Sequence, residues 1–340
     1  MSVRTTVVGS WWPPDESTQD KLRDLHAGKL SDAESEAVLN SAAERAITEQ
    51  RGLGLDEWTG GEYFTDEFLN HMQHVLSGVT IDVPSREEIF DYDDFAHARI
   101  DGEIGAPNGM GYATAYERER ELPGGVPKAT VVGPLEMTVN AVDQVPQIMA
   151  QLPNLNRLIR HEIDALAQAG CSHVQLDVPG FSSLISAGVL DADQAAQIVV
   201  DCFEGVSGIR KGIHICSGNM RGRPATADLS AAPWVEILER LDGVIDVAHL
   251  AVHYFPRYLE RDAFSRIPQS IELAAGIVDE GCYWVEPTWK IRERAADWAR
   301  VVGEERLWLA PSCGFGRHPV RDIPVLQAKI ENMVEAASTL

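Results

Sequence analysis

The chain has 340 residues, of which 29 are basic and 52 are acidic, so its formal net charge at pH 7 is -23. Its hydrophobic content of 44% and its charged content of 24% are those of an average globular chain, which argues against extensive disorder. A field this negative repels phosphate backbones and anionic headgroups. Neither a nucleic acid nor a membrane surface is therefore an expected partner.

The sequence also indicates the compartment and the state of the cysteines. No apolar run approaches the roughly 20 residues that span a bilayer, and residues 1–15 lack the apolar segment of a secretory signal, so we expect a cytoplasmic protein. An odd number of scattered cysteines argues against a disulfide framework and leaves thiols for a metal or for catalysis. They are Cys171, Cys202, Cys216, Cys282 and Cys313. Whether the chain forms a homo-oligomer is left open.

Short apolar or β-branched runs alternate along the chain with helical patterns. The predicted strands cover residues 3–8, 53–59, 128–132, 173–176, 212–216, 243–252, 271–277 and 307–309. A long helix is predicted after the first strand, because Ser31 can cap it and Glu34 follows three positions later. Further helices are predicted over residues 154–169, 191–203, 234–241, 288–301 and 322–336.

This alternation predicts the α/β class, with a single (β/α)8 TIM barrel that occupies residues 1–340 as one domain. A doubly wound open sheet uses the same alternation, but no Gly-x-Gly-x-x-Gly follows the first strand, as its dinucleotide-binding version requires. The stretch from about residue 78 to residue 126 is long for one connection. Its acidic and glycine-rich composition predicts an elaborated loop region with some helix after strand 2.

Side chains capable of chemistry follow the predicted strands. They are Ser10, Glu62, Asp177, His214, Cys216, His253, Asp279 and Cys313. In a (β/α)8 barrel the carboxyl ends of all strands meet at one face, where the active site is built. The predicted register therefore brings these residues to one mouth of the barrel.

The segment His214-Ile215-Cys216 is the strongest local signal for a metal site. Residues i and i+2 of a strand share a face, so an imidazole and a thiol can meet one ion, and both are good zinc ligands. Cys313, which follows the predicted eighth strand, lies across the same mouth, so we expect it to supply a third ligand and to leave one coordination position open. A buried cysteine beside a hydrogen-bonded histidine is the alternative interpretation of the His-x-Cys pattern.

A succession of short motifs resembles the catalytic, C-terminal half of cobalamin-independent methionine synthase and its single-domain relatives, among the methionine synthase and uroporphyrinogen decarboxylase-like barrels. The motifs are Thr-Thr-Val-Val-Gly-Ser (5–10), Gly-Glu-Tyr-Phe (61–64), Val-Gly-Pro (132–134), Val-Gln-Leu-Asp (174–177), His-Ile-Cys (214–216), Glu-Arg-Leu-Trp (305–308) and Pro-Ser-Cys-Gly (311–314). Each motif is weak alone. Their order and spacing over nearly the whole chain make the resemblance specific.

The resemblance implies a zinc-dependent transferase that moves a methyl or alkyl group from a donor to a small thiol such as homocysteine. Its implied Zn2+ ligands are His214, Cys216 and Cys313. Ser10, Glu62 and Asp177 fall where the family binds the amino-acid part of homocysteine. A carboxylate suits an α-amino group, and a hydroxyl or backbone donor suits an α-carboxylate.

Several departures from the family concern the donor side of the site. Val178 replaces the second acid of the family's Asp-Glu-Pro, and Trp11-Trp12-Pro13-Pro14 replaces an aromatic residue followed by Pro-Arg. No histidine occurs in residues 279–283, and Ala251 aligns with the glutamate that is the synthase's fourth zinc ligand. The identity of the donor, and whether it is a folate, stays open. The candidates to stack on a pterin ring are Trp11, Trp12 and Trp284.

His249, Ala251 and His253 share one face of the predicted sixth strand, because side chains alternate along a strand. His253 therefore either reaches the metal or lines the pocket, and we predict Asp177 and His253 as catalytic residues. Two other functions remain open. One is a thiolate that opens an epoxide, as in the epoxyalkane–coenzyme M transferases, for which Arg317 would face the sulfonate. The other is a zinc-binding barrel without catalysis.

Overall fold

The computed structural model describes residues 3–12, 15–26, 28–65, 69–83, 97–139, 141–218, 230–254, 258–316 and 322–340. Seven parallel strands form one sheet, in the order β1-β9-β8-β7-β6-β5-β4. They are Arg4–Thr5 (β1), Lys128–Val132 (β4), His173–Asp177 (β5), Arg210–Ile215 (β6), Val247–Leu250 (β7), Glu272–Val278 (β8) and Leu307–Pro311 (β9). The two remaining strands, Ser77–Val83 (β2) and His97–Gly105 (β3), pair with each other. The α/β class is confirmed.

The predicted second strand, residues 53–59, does not form in the described part of the chain, so the predicted eight-stranded closure is not seen. The segment lies beside β1, where Glu57 N donates to Thr5 O at 3.1 Å. The N–H of Thr5, however, donates to the Asp56 side chain at 2.8 Å. Because a side chain takes the donor that a regular ladder would use, the segment is held without strand pairing.

The region that we predicted as an elaborated loop with some helix contains the antiparallel ribbon of β2 and β3, followed by the helix Tyr112–Glu121. Side chains from outside the ribbon complete the hydrogen bonding of β3. Gln144 accepts from Ile100 N at 2.8 Å and donates to Ala98 O at 2.9 Å. These two bonds satisfy backbone groups that a further strand would otherwise satisfy.

Helices connect the strands and cover the sheet. They are Glu16–His26, Asp32–Gly52, Leu69–Val75, Tyr112–Glu121, Val145–Ala150, Leu152–Gln168, Gly180–Ser186, Ala192–Phe203, Ala231–Arg240, Tyr258–Ala263, Thr288–Val302 and Ile323–Ser338. The capping box of Ser31 and Glu34 is present, and the five later predicted helices are confirmed within a few residues at each end. In the part of the chain that the structure describes, no helix has the length and hydropathy needed to cross a bilayer.

Polar side chains cross the inside of the curled sheet. The buried Lys128 ammonium on β4 donates to Val7 O at 2.6 Å, which joins the β4 edge to the segment that follows β1. His173 Nδ1 on β5 lies 2.8 Å from Glu57 Oε1, and the Thr6 hydroxyl donates to Glu57 Oε2 at 3.0 Å. These buried contacts hold the segment of Glu57 against the sheet where no ladder does.

Candidate active site

The carboxyl ends of neighbouring strands bring the predicted site residues together. Asp177 ends β5 and is the register partner of His214 on β6, which in turn pairs with His249 on β7. Cys216 comes directly after β6, and Cys313 comes two residues after the end of β9. Parallel strands therefore deliver an acid, an imidazole and two thiols to one edge of the sheet.

His214, Cys216 and Cys313 place one imidazole nitrogen and two sulfurs within 4.8 Å of one another. His214 Nδ1 lies 3.2 Å from His249 O, so we assign the proton to Nδ1 and the lone pair to Nε2. Nε2 is buried and makes no hydrogen bond within the described residues. Cys216 Sγ accepts from Gly218 N at 3.3 Å. A buried lone pair close to two sulfurs is a donor set that can hold a zinc ion.

Ser10 fixes the turn that carries Cys313. The Ser10 carbonyl accepts from Phe315 N at 2.9 Å, and its hydroxyl accepts from Gly316 N at 3.1 Å. A Cβ on Gly314 would lie only 2.2 Å from Ser10 Oγ, which explains the glycine that follows the cysteine. The predicted substrate-binding serine thus lies at the mouth, with its hydroxyl accepting a bond from the Cys313 turn.

The backbone of Glu62 has a conformation that residues other than glycine rarely adopt. Its φ is 66°, in the left-handed region, which costs on the order of 1 kcal/mol or more. The Thr130 hydroxyl on β4 donates to Glu62 Oε1 at 2.8 Å. A Cβ on Gly9 would lie 2.0 Å from the same oxygen, so the backbone after β1 must be glycine for the carboxyl group to fit. Such over-determined strain is typical of functional sites.

Glu62 and Asp177 form a pair of acids beside the metal-ligand cluster. Burial raises the pKa of Glu62 to about 7, and the charge of Asp177 adds to the increase. Burial also raises the pKa of Asp177 to about 6, against the opposing influence of His214 and of Gln175, which donates to Asp177 Oδ1 at 2.7 Å. A cation placed beside these two buried acids would favour their ionised forms.

The structure corrects the predicted position of His253. Strand β7 ends at Leu250, and Val252–Tyr254 forms a 3-10 turn, so the alternation that we extended to His253 stops before it. Among the described residues, the group of close ligand atoms consists of His214, Cys216 and Cys313 and does not include His253. Burial lowers the pKa of its imidazole, while the charges of Glu280 and Asp279 act in the opposite direction. His253 therefore lies near the end of β8, close to Asp279 and Glu280.

The aromatic residues near the mouth differ in their exposure. Trp11 and Trp12 are buried, both donate from Nε1 to Glu49 Oε2 at 3.1 Å, and both pack edge-on against Phe315. Their rings are core contacts that support the Cys313 turn. Trp284 is 52% exposed, so of the three candidates for ring stacking it alone presents its face to solvent.

Two buried charged residues near the site lie outside the predicted set. The positive charge of Lys128 lowers the pKa of both Glu62 and Asp177. Both oxygens of Glu136 accept from Gly180 N, at 3.1 and 2.9 Å, and burial raises the pKa of Glu136 well above its usual range. The sequence contained one signal that could have identified Lys128: a lysine at the first position of an otherwise mostly apolar strand.

A family model described as the cobalamin-independent synthase catalytic domain matches residues 3–339. A 5-methyltetrahydropteroyltriglutamate–homocysteine methyltransferase of Nitratidesulfovibrio vulgaris is 25% identical over 338 residues, which are 98% of this chain and 41% of that protein. A methionine synthase of Saccharolobus islandicus is 22% identical over 341 residues, 99% of this chain and 94% of the relative. The chain thus spans about two fifths of the first relative and nearly all of the second.

Solved structures agree in fold. A B12-independent methionine synthase of a Shewanella species, in complex with selenomethionine, superposes with a TM-score of 0.78 at 17% identity, over 100% of this chain and 97% of that one. A structure described as a vitamin-B12 independent methionine synthase of Listeria monocytogenes gives 0.68 at 18% identity, over 100% and 99%. With the family model matched over almost every residue, the chain belongs to the cobalamin-independent synthase catalytic domain family, a family of methyltransferases.

Proposed function

We propose that this chain transfers a methyl group to the sulfur of homocysteine or a closely similar amino-acid thiol, with Zn2+ held by His214, Cys216 and Cys313. The observation that carries the proposal is the approach of the three ligand atoms to within 4.8 Å of one another. The names of the relatives, which are homocysteine methyltransferases and methionine synthases, support the same substrate.

The donor set fits zinc by its chemistry. Imidazole nitrogen and thiolate sulfur are the ligands that zinc prefers, and three protein ligands leave a position for a substrate in catalytic sites. The hydrogen bond from His214 Nδ1 to His249 O orients the ring so that Nε2 is the free nitrogen. When bound, zinc lowers the pKa of a coordinated thiol and so keeps it as a nucleophilic thiolate near neutral pH.

Glu62 and Asp177 bind the α-ammonium group of the substrate in this proposal. Their raised pKa values, about 7 and about 6, mean that each carboxyl group gains from a neighbouring cation. The strained backbone of Glu62 and its bond from Thr130 fix one acid, and Gln175 fixes the other. A substrate held by its amino end has its sulfur directed to one place, which lowers the entropic cost of reaction.

In the reaction, the carbon–sulfur bond forms as the bond from the methyl carbon to the donor atom breaks, and the donor atom keeps the electron pair and takes up a proton. His253 remains a predicted catalytic residue. Burial lowers the pKa of its imidazole, so the neutral ring is the form that would act there, while the charges of Glu280 and Asp279 oppose that shift. We place Ser10 on the substrate side, where its hydroxyl oxygen accepts from Gly316 N and its O–H proton can be donated to an α-carboxylate.

The test is a binding and turnover assay on zinc-loaded protein. We expect homocysteine to change the zinc X-ray absorption edge by adding a sulfur, and 4-mercaptobutanoate, which lacks the amino group, to bind more weakly. Glu62→Gln and Asp177→Asn should each weaken homocysteine binding by roughly 1.5–3 kcal/mol, the scale of a charged hydrogen bond, and leave zinc content unchanged. Their affinity for 4-mercaptobutanoate is the matched control and should not fall.

Equal affinity of the wild type and both variants for homocysteine would contradict the proposal. A sulfonate-bearing thiol, as in epoxide-opening transferases, is disfavoured because two acids line the site and would repel it. Methyl donors are to be compared in the same assay, with folates of different glutamate number beside simple sulfonium and thioether donors.

We also propose that residues 1–340 act as one domain, with residues 53–59 in the eighth position of the barrel. The bond from Glu57 N to Thr5 O on one side, and from Thr130 to Glu62 on the other, supports that position. A cytoplasmic location suits the same site, since Cys216 and Cys313 must stay reduced to bind a metal.

A further inference from the structure

Glu280 lies just beyond β8, and its side chain is 1% exposed. Its Oε2 accepts a hydrogen bond from Cys313 N at 3.1 Å. The Ser312 hydroxyl lies within hydrogen-bond distance of the same oxygen and of Val278 O. One buried carboxyl oxygen thus holds the two residues at the end of β9, one of which is a metal ligand.

The position of Cys313 depends on such contacts, because β9 ends at Pro311 and no ladder fixes the residues beyond it. Ser312 N donates to Val278 O at 2.8 Å, and Ser10 accepts from Phe315 N and Gly316 N. Glu280 holds the start of the turn and Ser10 holds its end. Removal of the Glu280 carboxyl group would leave the Cys313 N–H without this acceptor and would loosen the start of the turn.

Glu280 does not belong to the close group of ligand atoms, which among the described residues consists of His214, Cys216 and Cys313. Ala251, at the position where the family resemblance assigns a glutamate ligand, is buried and has no polar side-chain atom. The Glu280 carboxyl group reaches the metal-ligand cluster from the neighbouring strand, through the backbone of Cys313.

We propose that Glu280 is a positioning residue that fixes the Cys313 thiol for metal binding from outside the coordination sphere. The inference rests on the proposed zinc site. Groups that orient a metal ligand typically change metal affinity by about 10–100-fold when they are removed. Glu280 acts on the sulfur of Cys313 because the backbone that it holds sets the direction of that side chain.

The experiment compares Glu280→Ala, Glu280→Gln and Ser312→Ala in the full chain. Zinc affinity is measured by competition with a chromophoric chelator, and the sulfur-to-metal charge-transfer bands are recorded with Co2+. We expect Glu280→Ala to bind zinc about 10–100-fold more weakly and to shift the Co2+ bands. Glu280→Gln keeps an acceptor oxygen and should restore most of the affinity. Ser312→Ala, which retains the Cys313 N–H bond, should lose less than Glu280→Ala.

Glu162→Ala is the matched control, because Glu162 is also a buried acid that accepts backbone N–H bonds, from Met110 and Ala113, and none of these residues belongs to the site. It should lower thermal stability and leave zinc affinity and the Co2+ bands unchanged. If Glu280→Ala does not fold, Glu280→Gln and Ser312→Ala still give the comparison.

A folded Glu280→Ala protein that has the zinc affinity and the Co2+ bands of the wild type would overturn the inference and leave the zinc proposal intact. Equal losses in Glu280→Ala and Glu280→Gln would also overturn it, since they would mean that the carboxylate itself coordinates the metal. Failure of the wild-type protein to bind zinc at all would instead overturn the proposed function, so the two failures are distinguishable.

Discussion

Cys216 and Cys313 are 97 residues apart in the sequence, yet their sulfurs and a ring nitrogen of His214 lie within 4.8 Å of one another. Each thiol is positioned by its own contact. Gly218 N donates to Cys216 Sγ, and Glu280 accepts from the backbone N–H of Cys313. Each ligand is thus preorganised by its own support, which lowers the ordering cost of metal binding.

Replacement of either cysteine by serine should remove most of the bound zinc, because a hard hydroxyl takes the place of a soft thiolate. Zinc content is to be measured by elemental analysis of purified Cys216→Ser and Cys313→Ser proteins. Cys202→Ser is the matched control, since Cys202 is buried in the helix Ala192–Phe203 outside the cluster, and its zinc content should equal that of the wild type. Full occupancy in both ligand variants would mean that the metal site lies elsewhere.

Glu62 predicts how substrate binding depends on pH. Its pKa is raised to about 7, mainly by burial, so below pH 7 it is mostly protonated and above pH 7 mostly ionised. An ammonium group favours the ionised form, so affinity for homocysteine should rise as pH increases from about 6 to 8, with release of a proton near pH 6.5.

Calorimetry of that binding in two buffers of different ionisation enthalpy measures the released proton. Glu62→Gln should lose the part of the release that belongs to this carboxyl group, and 4-mercaptobutanoate should release fewer protons than homocysteine. A buffer-independent heat of homocysteine binding near pH 6.5 would refute the role of Glu62 as an ammonium site.

At the scale of elements, the ribbon of β2 and β3 depends on a side chain from outside it. Gln144 is buried and bonds to Ile100 N and Ala98 O, so Gln144→Ala leaves both backbone groups without those partners. The free energy of unfolding should fall by about 1–3 kcal/mol, and hydrogen exchange of the Ile100 amide should accelerate. Urea unfolding and exchange mass spectrometry measure both effects.

The exposed Gln147, three residues further along, provides the matched control. Gln147→Ala should leave the free energy of unfolding and the exchange of Ile100 unchanged. Equal exchange rates in Gln144→Ala and the wild type would mean that the ribbon does not need the glutamine.

Most of strands β4 to β9 were predictable because buried parallel strands are largely apolar runs; β9, for example, is Leu-Trp-Leu-Ala-Pro and is buried at every residue. The strand predicted over residues 53–59 was wrong because Asp56 takes the N–H of Thr5, a contact between distant residues that no local pattern contains. The ribbon was missed for a similar reason, since the bonding partner of β3 is the side chain of Gln144.

The site residues also divide into those that the strand pattern predicts and those that depend on contacts between distant residues. Residues at strand ends, such as His214 and Cys313, were predictable because topology alone brings strand ends together. The alternation that we extended to His253 stops earlier, because the extended backbone of β7 ends at Leu250, and periodicity does not mark that end. Glu280 lies after β8 and was not selected, because its importance comes from a bond to Cys313 on another strand.

At the scale of the whole molecule, buried polar contacts inside the sheet replace the missing ladder. Burial would raise the pKa of Glu57, but its contact with His173 outweighs this, and the pKa falls to about 2. The ionised carboxyl group therefore stabilises the fold above its unfolded pKa of about 4.5, and this contribution is lost as pH falls toward 2.

Glu57→Gln should lower the free energy of unfolding by about 3 kcal/mol at pH 7, which is the size of the pKa shift converted at 1.36 kcal/mol per unit. The deficit should shrink as pH falls below 4.5. Urea unfolding at a series of pH values checks this, with the exposed Glu44→Gln as control. A deficit that is the same at every pH would show that the effect is steric and not ionic.

The hydrogen bonds of Ser10 with Phe315 and Gly316 join residues that are 305 and 306 positions apart. During synthesis, His214 and Cys216 leave the ribosome well before Cys313, and a ribosome-bound chain at that stage has two of the three ligands. The turn that carries the third ligand can close only when the last strand pairs with the first. In the proposed zinc site, a nascent chain that lacks β9 therefore has two of the three ligands, and high-affinity zinc binding requires the segment after β9 that carries Cys313.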